Sequence, residues 1–289
     1  MRYIGNIYRP PSEAYSLIVQ MTVGCSHNRC AFCDMYADKH FYVRPVEDVL
    51  ADFAWCRRQY RSIGRVFLAD GDALMAKTED LLRVLDYIRR ELPECQRVTC
   101  YASPKSVRRK TDAELKALRE ANLQMVYMGL ESGSDDVLRR MRKGCSAGQI
   151  VEAAQRVRGE GMAVSVTAIS GLGGREQWQE HAEATGRALS AIRAEYIGLL
   201  TLMVEPGTPV AQWVGDGSLT LLSAQEVLAE TYELLRHTDS EGSVFRMNHA
   251  SNYLNLRGTL NRDRGVMLEK LRAGMDGSVR LKHEGFRAL

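Results

Sequence analysis

Six short runs rich in β-branched and apolar residues recur over roughly the first two thirds of the chain, and a helix-length amphipathic stretch separates each from the next. The runs are SLIVQMTV (16–23), RVFLAD (65–70), RVTCYAS (97–103), MVYMGLE (125–131), AVSVTAIS (163–170) and YIGLLTLMV (196–204). The helical stretches are 45–62, 78–92, 111–122, 135–142 with 146–160, and 175–193. Every connection is long enough for a crossover, and strand–crossover–strand repeated five times predicts a parallel sheet covered by helices. The strands are apolar nearly throughout, as strands buried on both faces are. This pattern admits a partial (β/α)6 barrel or a doubly wound sheet, both α/β. Helix-start signals agree with the spacing: Thr78 before Glu79 and Asp80, and Thr111 before Asp112 and Glu114, predict N-caps with acidic first turns. Ser146 and Gln149 have the spacing of a capping box. After Pro206-Gly207-Thr208-Pro209 the pattern changes to a helix at about 223–239, a short strand-like VFRMNHA and a helix at about 261–273.

The remaining composition excludes more than it names. Apolar residues at 45% and charged residues at 26% are ordinary for a globular chain, which disfavours disorder and coiled coil. Lys+Arg 39 against Asp+Glu 36 leaves +3 over 289 residues, too slight a surplus to imply a nucleic-acid or membrane surface. No apolar run approaches the ~18 residues of a membrane span. The start, MRYIGNIYRPPSEAY, lacks the apolar core of a secretory signal, so a cytoplasmic protein is expected. Seven cysteines, three of them within nine residues, suit a metal site in a reducing compartment better than a disulfide framework.

Those three, Cys25, Cys30 and Cys33, form C-x4-C-x2-C directly after the first predicted strand. In a parallel barrel a strand-end loop lies on the face where active sites are built. Three thiolates can hold three irons of a [4Fe–4S] cube and leave the fourth open. A zinc site, which wants four ligands, could instead borrow His27, Asp34 or His40.

With this loop as the first of four strand-end motifs, the chain over about 15–210 resembles the radical S-adenosylmethionine (SAM) superfamily. The aromatic before the last cysteine of that family's loop is present as Phe32, while the usual C-x3-C-x2-C is one residue longer here. LADGDALM, with Gly71 and Asp72, is similar to the family's Gly-Gly-Glu-like segment, whose backbone receives the methionyl amine of SAM. MGLESGSDDVLRRMRKG (128–144) resembles the corresponding segment of the clade of oxygen-independent coproporphyrinogen oxidases and methylthiotransferases. The resemblance implies that Glu131 bonds SAM, that Ser132 and Gly133 shape the turn, and that Arg139, Arg142 or Lys143 reaches the methionyl carboxylate. AISGLGGREQW (168–178), with Gly171, Gly173 and Gly174, is similar to the glycine-rich turn beside the adenine, and YIGLLTLMVEPGTPV resembles the sixth strand and the turn after it.

The fold implied is a partial (β/α)6 TIM-like barrel with a small C-terminal α/β extension. Its expected divisions are a lead-in over 1–14, the barrel over 15–210 and an extension covering the barrel over 211–289. The chemistry implied is reductive cleavage of SAM at the cluster to a 5′-deoxyadenosyl radical, which abstracts hydrogen from a small or medium substrate. A low-potential donor such as flavodoxin or ferredoxin would supply the electron; no membrane is expected, and nucleic acid is not expected as partner. Modification of RNA or protein by the same chemistry, or a non-catalytic iron–sulfur or zinc module, are the alternatives. The catalytic residue is left open, with three candidates: His249 and Tyr253, in VFRMNHASNYLNLR (244–257), a stretch expected to cover the barrel mouth and contact substrate, and Cys145, either a hydrogen-atom donor to a substrate radical or a structural thiol. Cys56, Cys95 and Cys100 lack any C-x2-C pairing and are expected to be structural thiols.

Overall fold

The computed structural model describes residues 1–288. Its strands are β1 (Leu17–Gln20), β2 (Thr22–Val23), β3 (Tyr42–Val43), β4 (Arg65–Ala69), β5 (Arg97–Tyr101), β6 (Leu123–Glu131), β7 (Ala163–Ser170), β8 (Tyr196–Thr201), β9 (Val244–Met247) and β10 (Leu256–Thr259). The helices are α1 (Val46–Gln59), α2 (Thr78–Glu91), α3 (Pro104–Arg108), α4 (Asp112–Glu120), α5 (Asp135–Arg140), α6 (Ala147–Gly159), α7 (Gly174–Ile192), α8 (Pro209–Gly215), α9 (Ala224–Arg236) and α10 (Arg264–Met275). Eight strands form one sheet in the order β1-β4-β5-β6-β7-β8-β9-β10. β1–β4, β4–β5, β5–β6, β7–β8 and β8–β9 pair in parallel, and β10 returns antiparallel on β9. The fold is therefore the expected α/β class with a mostly parallel sheet, the strand arrangement of a partial TIM-like barrel. Five of the predicted strands and the first half of the remaining one, 16–23, are in it. VFRMNHA supplies β9 and lies parallel beside β8, with Ile197 opposite Phe245.

Two compact units divide the chain: residues 1–28, 35–128 and 153–164 make the first, and 29–34, 129–152 and 165–289 the second. In the first unit, Phe67, Ala69, Met125 and Tyr127 form a buried cluster against which Ile7, Ile18 and Tyr101 pack. The rings of Phe67, Tyr101 and Tyr127 meet edge to face at 5.1, 5.9 and 6.0 Å between centroids, a geometry that aromatic quadrupoles favour. In the second unit, Ala31, Val137, Met141, Leu172, Leu202, Val210 and Leu219 form a buried cluster, with Phe32 packed on it.

Local sequence explains most element ends, with one correction. Thr111 caps α4 in a full capping box with Glu114, and Ser146 and Gln149 exchange reciprocal bonds at 3.2 Å each. Thr78 does not cap α2. It is the first helical residue, Lys77 holds the cap position without a side-chain bond, and the Thr78 hydroxyl donates instead to Glu114 at 2.6 Å. Because the helix starts one residue earlier than expected, the Thr78 hydroxyl stands inside the first turn instead of before it, free to reach the carboxylate of the neighbouring helix. The first predicted strand also breaks after Gln20. β2 leaves the main sheet and pairs antiparallel with β3, Thr22 opposite Val43, so this two-strand ribbon brackets the cysteine loop. Among the described residues no helix is long and apolar enough to cross a membrane.

Candidate functional site

In the first unit the ends of β2, β4 and β5 gather around Cys25. The Gly71 N–H donates to the Gly24 carbonyl at 3.1 Å, and the Gly24 N–H donates to Asp70 Oδ2 at 3.0 Å. That same oxygen accepts from Lys39 and Gln20, each at 2.9 Å, inside the protein. The backbone entering the cysteine loop is thus clamped by a buried ion pair. Gly71 fits only as glycine: a Cβ there would lie 2.8 Å from the Tyr36 ring and 3.0 Å from the Cβ of Cys25. Asp72 is buried, its Oδ2 accepting from Ser26 at 2.5 Å and Ser103 at 2.6 Å, while Oδ1 has no partner. Burial pushes its carboxyl above the usual range, against the hydroxyls of Ser103, Ser26 and Ser106 that hold it down. Such an unpartnered acceptor suits a cationic or N–H donor on a ligand.

In the second unit Cys30 and Cys33 sit on a segment pinned by its backbone. The Ala31 N–H donates to the Met141 carbonyl at 2.9 Å, and the Ala31 carbonyl accepts from Val210 at 3.1 Å. Glu131 ends β6 with a left-handed φ of 61°, a strained conformation for a side chain of this size. Its Oε1 accepts from Lys143 Nζ at 2.9 Å. Burial works to lower the Lys143 ammonium's pKa, but Glu131, Cys30 and Cys145 beside it hold it above its ordinary value. Of the three basic residues expected near the cofactor, Lys143 is the one held against Glu131. Arg139 pairs with Asp136 on the exposed side of α5, and the exposed Arg142 guanidinium lies 5.8 Å over the Trp213 ring.

Also in the second unit, a cavity of about 470 Å³ opens at the ends of β7 and β8. Ser170 and Gly171 form one side, Thr201 and Leu202 another, and Leu222 and Val227 an apolar wall; Tyr253 lines it too. Residues 249–253 are fastened to β8. Thr201 Oγ1 donates to Asn252 Oδ1 and Asn252 Nδ2 donates to the Leu199 carbonyl, both at 2.9 Å. Tyr253 donates to Glu284 and lies under Arg287, whose guanidinium stands 4.2 Å from the ring centre. That guanidinium is 4% exposed and also donates to the Leu202 carbonyl at 2.7 Å and the Ser251 carbonyl at 2.6 Å. His249 is half-buried and bonded to Ser251 at 3.0 Å; it does not line the cavity. Gly171 and Tyr253 are therefore brought to one wall.

The sequence reading missed Arg287, His181 and Glu230. Arg287 stands near the end of the chain, without a motif. His181 and Glu230 are buried on α7 and α9, and the available signal was a titratable residue set on an apolar helical stripe, as Glu230 is among Val227, Thr231 and Leu234.

The chemistry of the donor set suits a [4Fe–4S] cluster with SAM. Cys25, Cys30 and Cys33 are half-buried and in no disulfide, the backbone at Gly71 leaves no room for a side chain, and Asp72 offers an unmatched oxygen. Among the described residues no three His, Cys, Asp or Glu side chains gather as ligands of one metal ion; the thiolates of a cube each take a different iron and need no such convergence. Cys56, Cys95 and Cys100 belong elsewhere: burial raises the pKa of all three thiols, which keeps them protonated.

Comparison with known proteins gives the same answer. The chain is 25% identical over 221 residues to the heme chaperone HemW of Bacillus subtilis, covering 73% of this chain and 56% of that one. It is 24% identical over 214 residues to the tRNA-2-methylthio-N(6)-dimethylallyladenosine synthase of Nitrosospira multiformis, covering 70% and 44%. The chain thus spans about half the length of these relatives. In three dimensions it is similar to coproporphyrinogen III oxidase HemN from Escherichia coli, with a TM-score of 0.54 and 17% identity over 76% of this chain and 50% of that one. The radical SAM superfamily matches residues 19–185, more than half of the sequence, and the chain belongs to that superfamily.

Proposed function

We propose that this protein is a radical SAM enzyme acting on a small or medium-sized molecule, seated in the cavity at the ends of β7 and β8. When bound, the [4Fe–4S] cluster and SAM supply a 5′-deoxyadenosyl radical that abstracts hydrogen. Cys25, Cys30 and Cys33 ligate three irons. Gly71 would offer its backbone, and Asp72 its unmatched oxygen, to the methionyl amine; Glu131, Ser132, Arg142 and Gly171 would complete the surroundings of SAM, and Phe32, packed on the cluster of Ala31, Val137 and Met141, would steady the loop between Cys30 and Cys33. The Arg287–Tyr253–Glu284 group closes part of the cavity and so helps to exclude water. Tyr253 contacts substrate; His249, bonded to Ser251, supports the same loop, and Cys145 stands with Lys143 near Cys30. A low-potential donor such as flavodoxin or ferredoxin would supply the electron.

The cavity carries this reading: about 470 Å³ lies within the ~300–1,000 Å³ of small-molecule sites, and its apolar wall with a few polar groups is how such sites are built. The test is anaerobic, with the reduced, SAM-loaded protein offered three cell fractions: molecules below ~1 kDa, RNA and protein. Stimulation of 5′-deoxyadenosine formation by the small-molecule fraction alone is the expected result. Stimulation by RNA or protein alone overturns the substrate class.

A further inference from the structure

Behind the cavity wall lie two buried titratable groups that neither line the cavity nor belong to the proposed cofactor contacts. Glu230 on α9 and His181 on α7 are each 1% exposed, and Nε2 of the histidine stands 3.9 Å from Oε1 of the glutamate. Glu230 Oε2 accepts from the Ser170 hydroxyl and from the Gly171 N–H, the latter at 2.7 Å. His181 Nε2–H donates to the Ile169 carbonyl at 3.1 Å, which leaves Nδ1 to accept from the Ser132 hydroxyl at 2.8 Å. Ser132 Oγ in turn accepts the Ser134 N–H at 3.0 Å. One helical turn after His181, Thr185 Oγ1 accepts the Gly133 N–H at 2.9 Å. Gly133 admits no side chain: a Cβ would lie 2.1 Å from the Ala184 carbonyl oxygen.

Two strand-end turns, one after β6 and one after β7, are thus each held from behind by one member of a buried pair. We propose that His181 and Glu230 are positioning residues that lock the Ser132–Ser134 and Ser170–Gly171 turns in the shape that receives SAM. This rests on the reading that those turns contact SAM.

The protonation states agree with this geometry. Burial lowers His181 to about 4 and raises Glu230 to about 8, so both are neutral near pH 7. No charged side chain contributes to either shift; among the described residues the titratable groups facing one another here are His181 from α7 and Glu230 from α9. Glu230 Oε1, shut off from solvent, has no partner. Ionisation above about pH 8 would place an uncompensated charge there, a costly state that would strain the carboxyl's hold on the Gly171 turn.

The test uses the reconstituted holoprotein, with SAM affinity read from the change in the reduced cluster's paramagnetic resonance spectrum. Amide hydrogen exchange at Gly171 and Ser134 is read in the same protein without SAM. The wild type should lose SAM affinity above pH 8, and Glu230→Gln, a neutral isostere, should keep the wild-type affinity at pH 7 and abolish that fall. Glu230→Ala and His181→Ala should weaken SAM binding about tenfold or more, with unchanged iron content, and speed exchange at Gly171 and Ser134 respectively. Wild-type affinity and exchange in both alanine variants overturn the proposal, as does an undiminished alkaline fall in Glu230→Gln. Should the alanine variants not fold, the pH profile and Gly171 exchange of Glu230→Gln decide it. A wild-type holoprotein that binds no SAM refutes the reading of the site, while the exchange measurements still decide whether the pair holds the turns.

Discussion

At the scale of single residues, the account divides the cysteines sharply. Cys30→Ala should abolish the reconstituted cluster, whereas Cys56→Ala should leave it intact, because Cys56 is a buried thiol bonded to the Met1 sulfur at 3.6 Å. Iron and sulfide analysis of the two variants checks this. Glu131→Ala should weaken SAM binding by roughly 10- to 150-fold, the effect of about 1.5–3 kcal/mol for a lost hydrogen bond to a charged group, while iron stays bound. A SAM titration of the reconstituted protein measures it, and wild-type affinity would count against the role. The motif residues were legible in the sequence because each lies in a short contiguous pattern. Arg139, Arg142 and Lys143 were legible only as three basic residues near the cofactor; that Lys143 is the one paired with Glu131 depends on the backbone path through Arg142, which has a left-handed φ, and spacing alone does not reveal it.

At the scale of elements, the parallel strands and their crossovers were readable because hydrophobic period and length agree along each stretch. The ends were less so. The break of the first strand after Gln20 depends on pairing with β3, about twenty residues away, and the Thr78 hydroxyl is decided by a carboxylate on another helix. The fastening of residues 249–253 to β8 is tertiary in the same way and yields its own prediction. Asn252→Ala removes two buried bonds, to Leu199 and Thr201, and should destabilise the fold by about 1–3 kcal/mol. A thermal melt should show a midpoint lower by roughly 2–10 °C; an unchanged midpoint would mean that the loop contributes nothing to the stability of β8.

At the scale of the whole molecule, two buried groups act on stability in opposite directions with pH. His181 is held at about 4 against 6.5 for an ordinary histidine, so the unfolded chain binds more protons between those values. Its contribution is complete above about pH 6.5 and is lost as pH falls toward 4. Glu230 is held at about 8 against 4.5, so the native state binds more protons; its contribution is complete below about pH 4.5 and is lost as pH rises toward 8. The slopes cancel where they overlap. What remains is a net loss of stability between about pH 6.5 and 8, of about 2 kcal/mol at most, which Glu230→Gln should remove. Thermal melts of the wild type and this variant across that range test the sign.

The central claim is that this chain binds a [4Fe–4S] cluster through Cys25, Cys30 and Cys33 and uses it to cleave SAM. The most direct measurement is anaerobic reconstitution with iron and sulfide, reduction in the presence of SAM, and chromatography for 5′-deoxyadenosine. The account predicts 5′-deoxyadenosine and methionine in equal amounts from the wild type and neither from Cys30→Ala. A reconstituted, reduced wild-type protein with four irons bound that leaves SAM intact would contradict it.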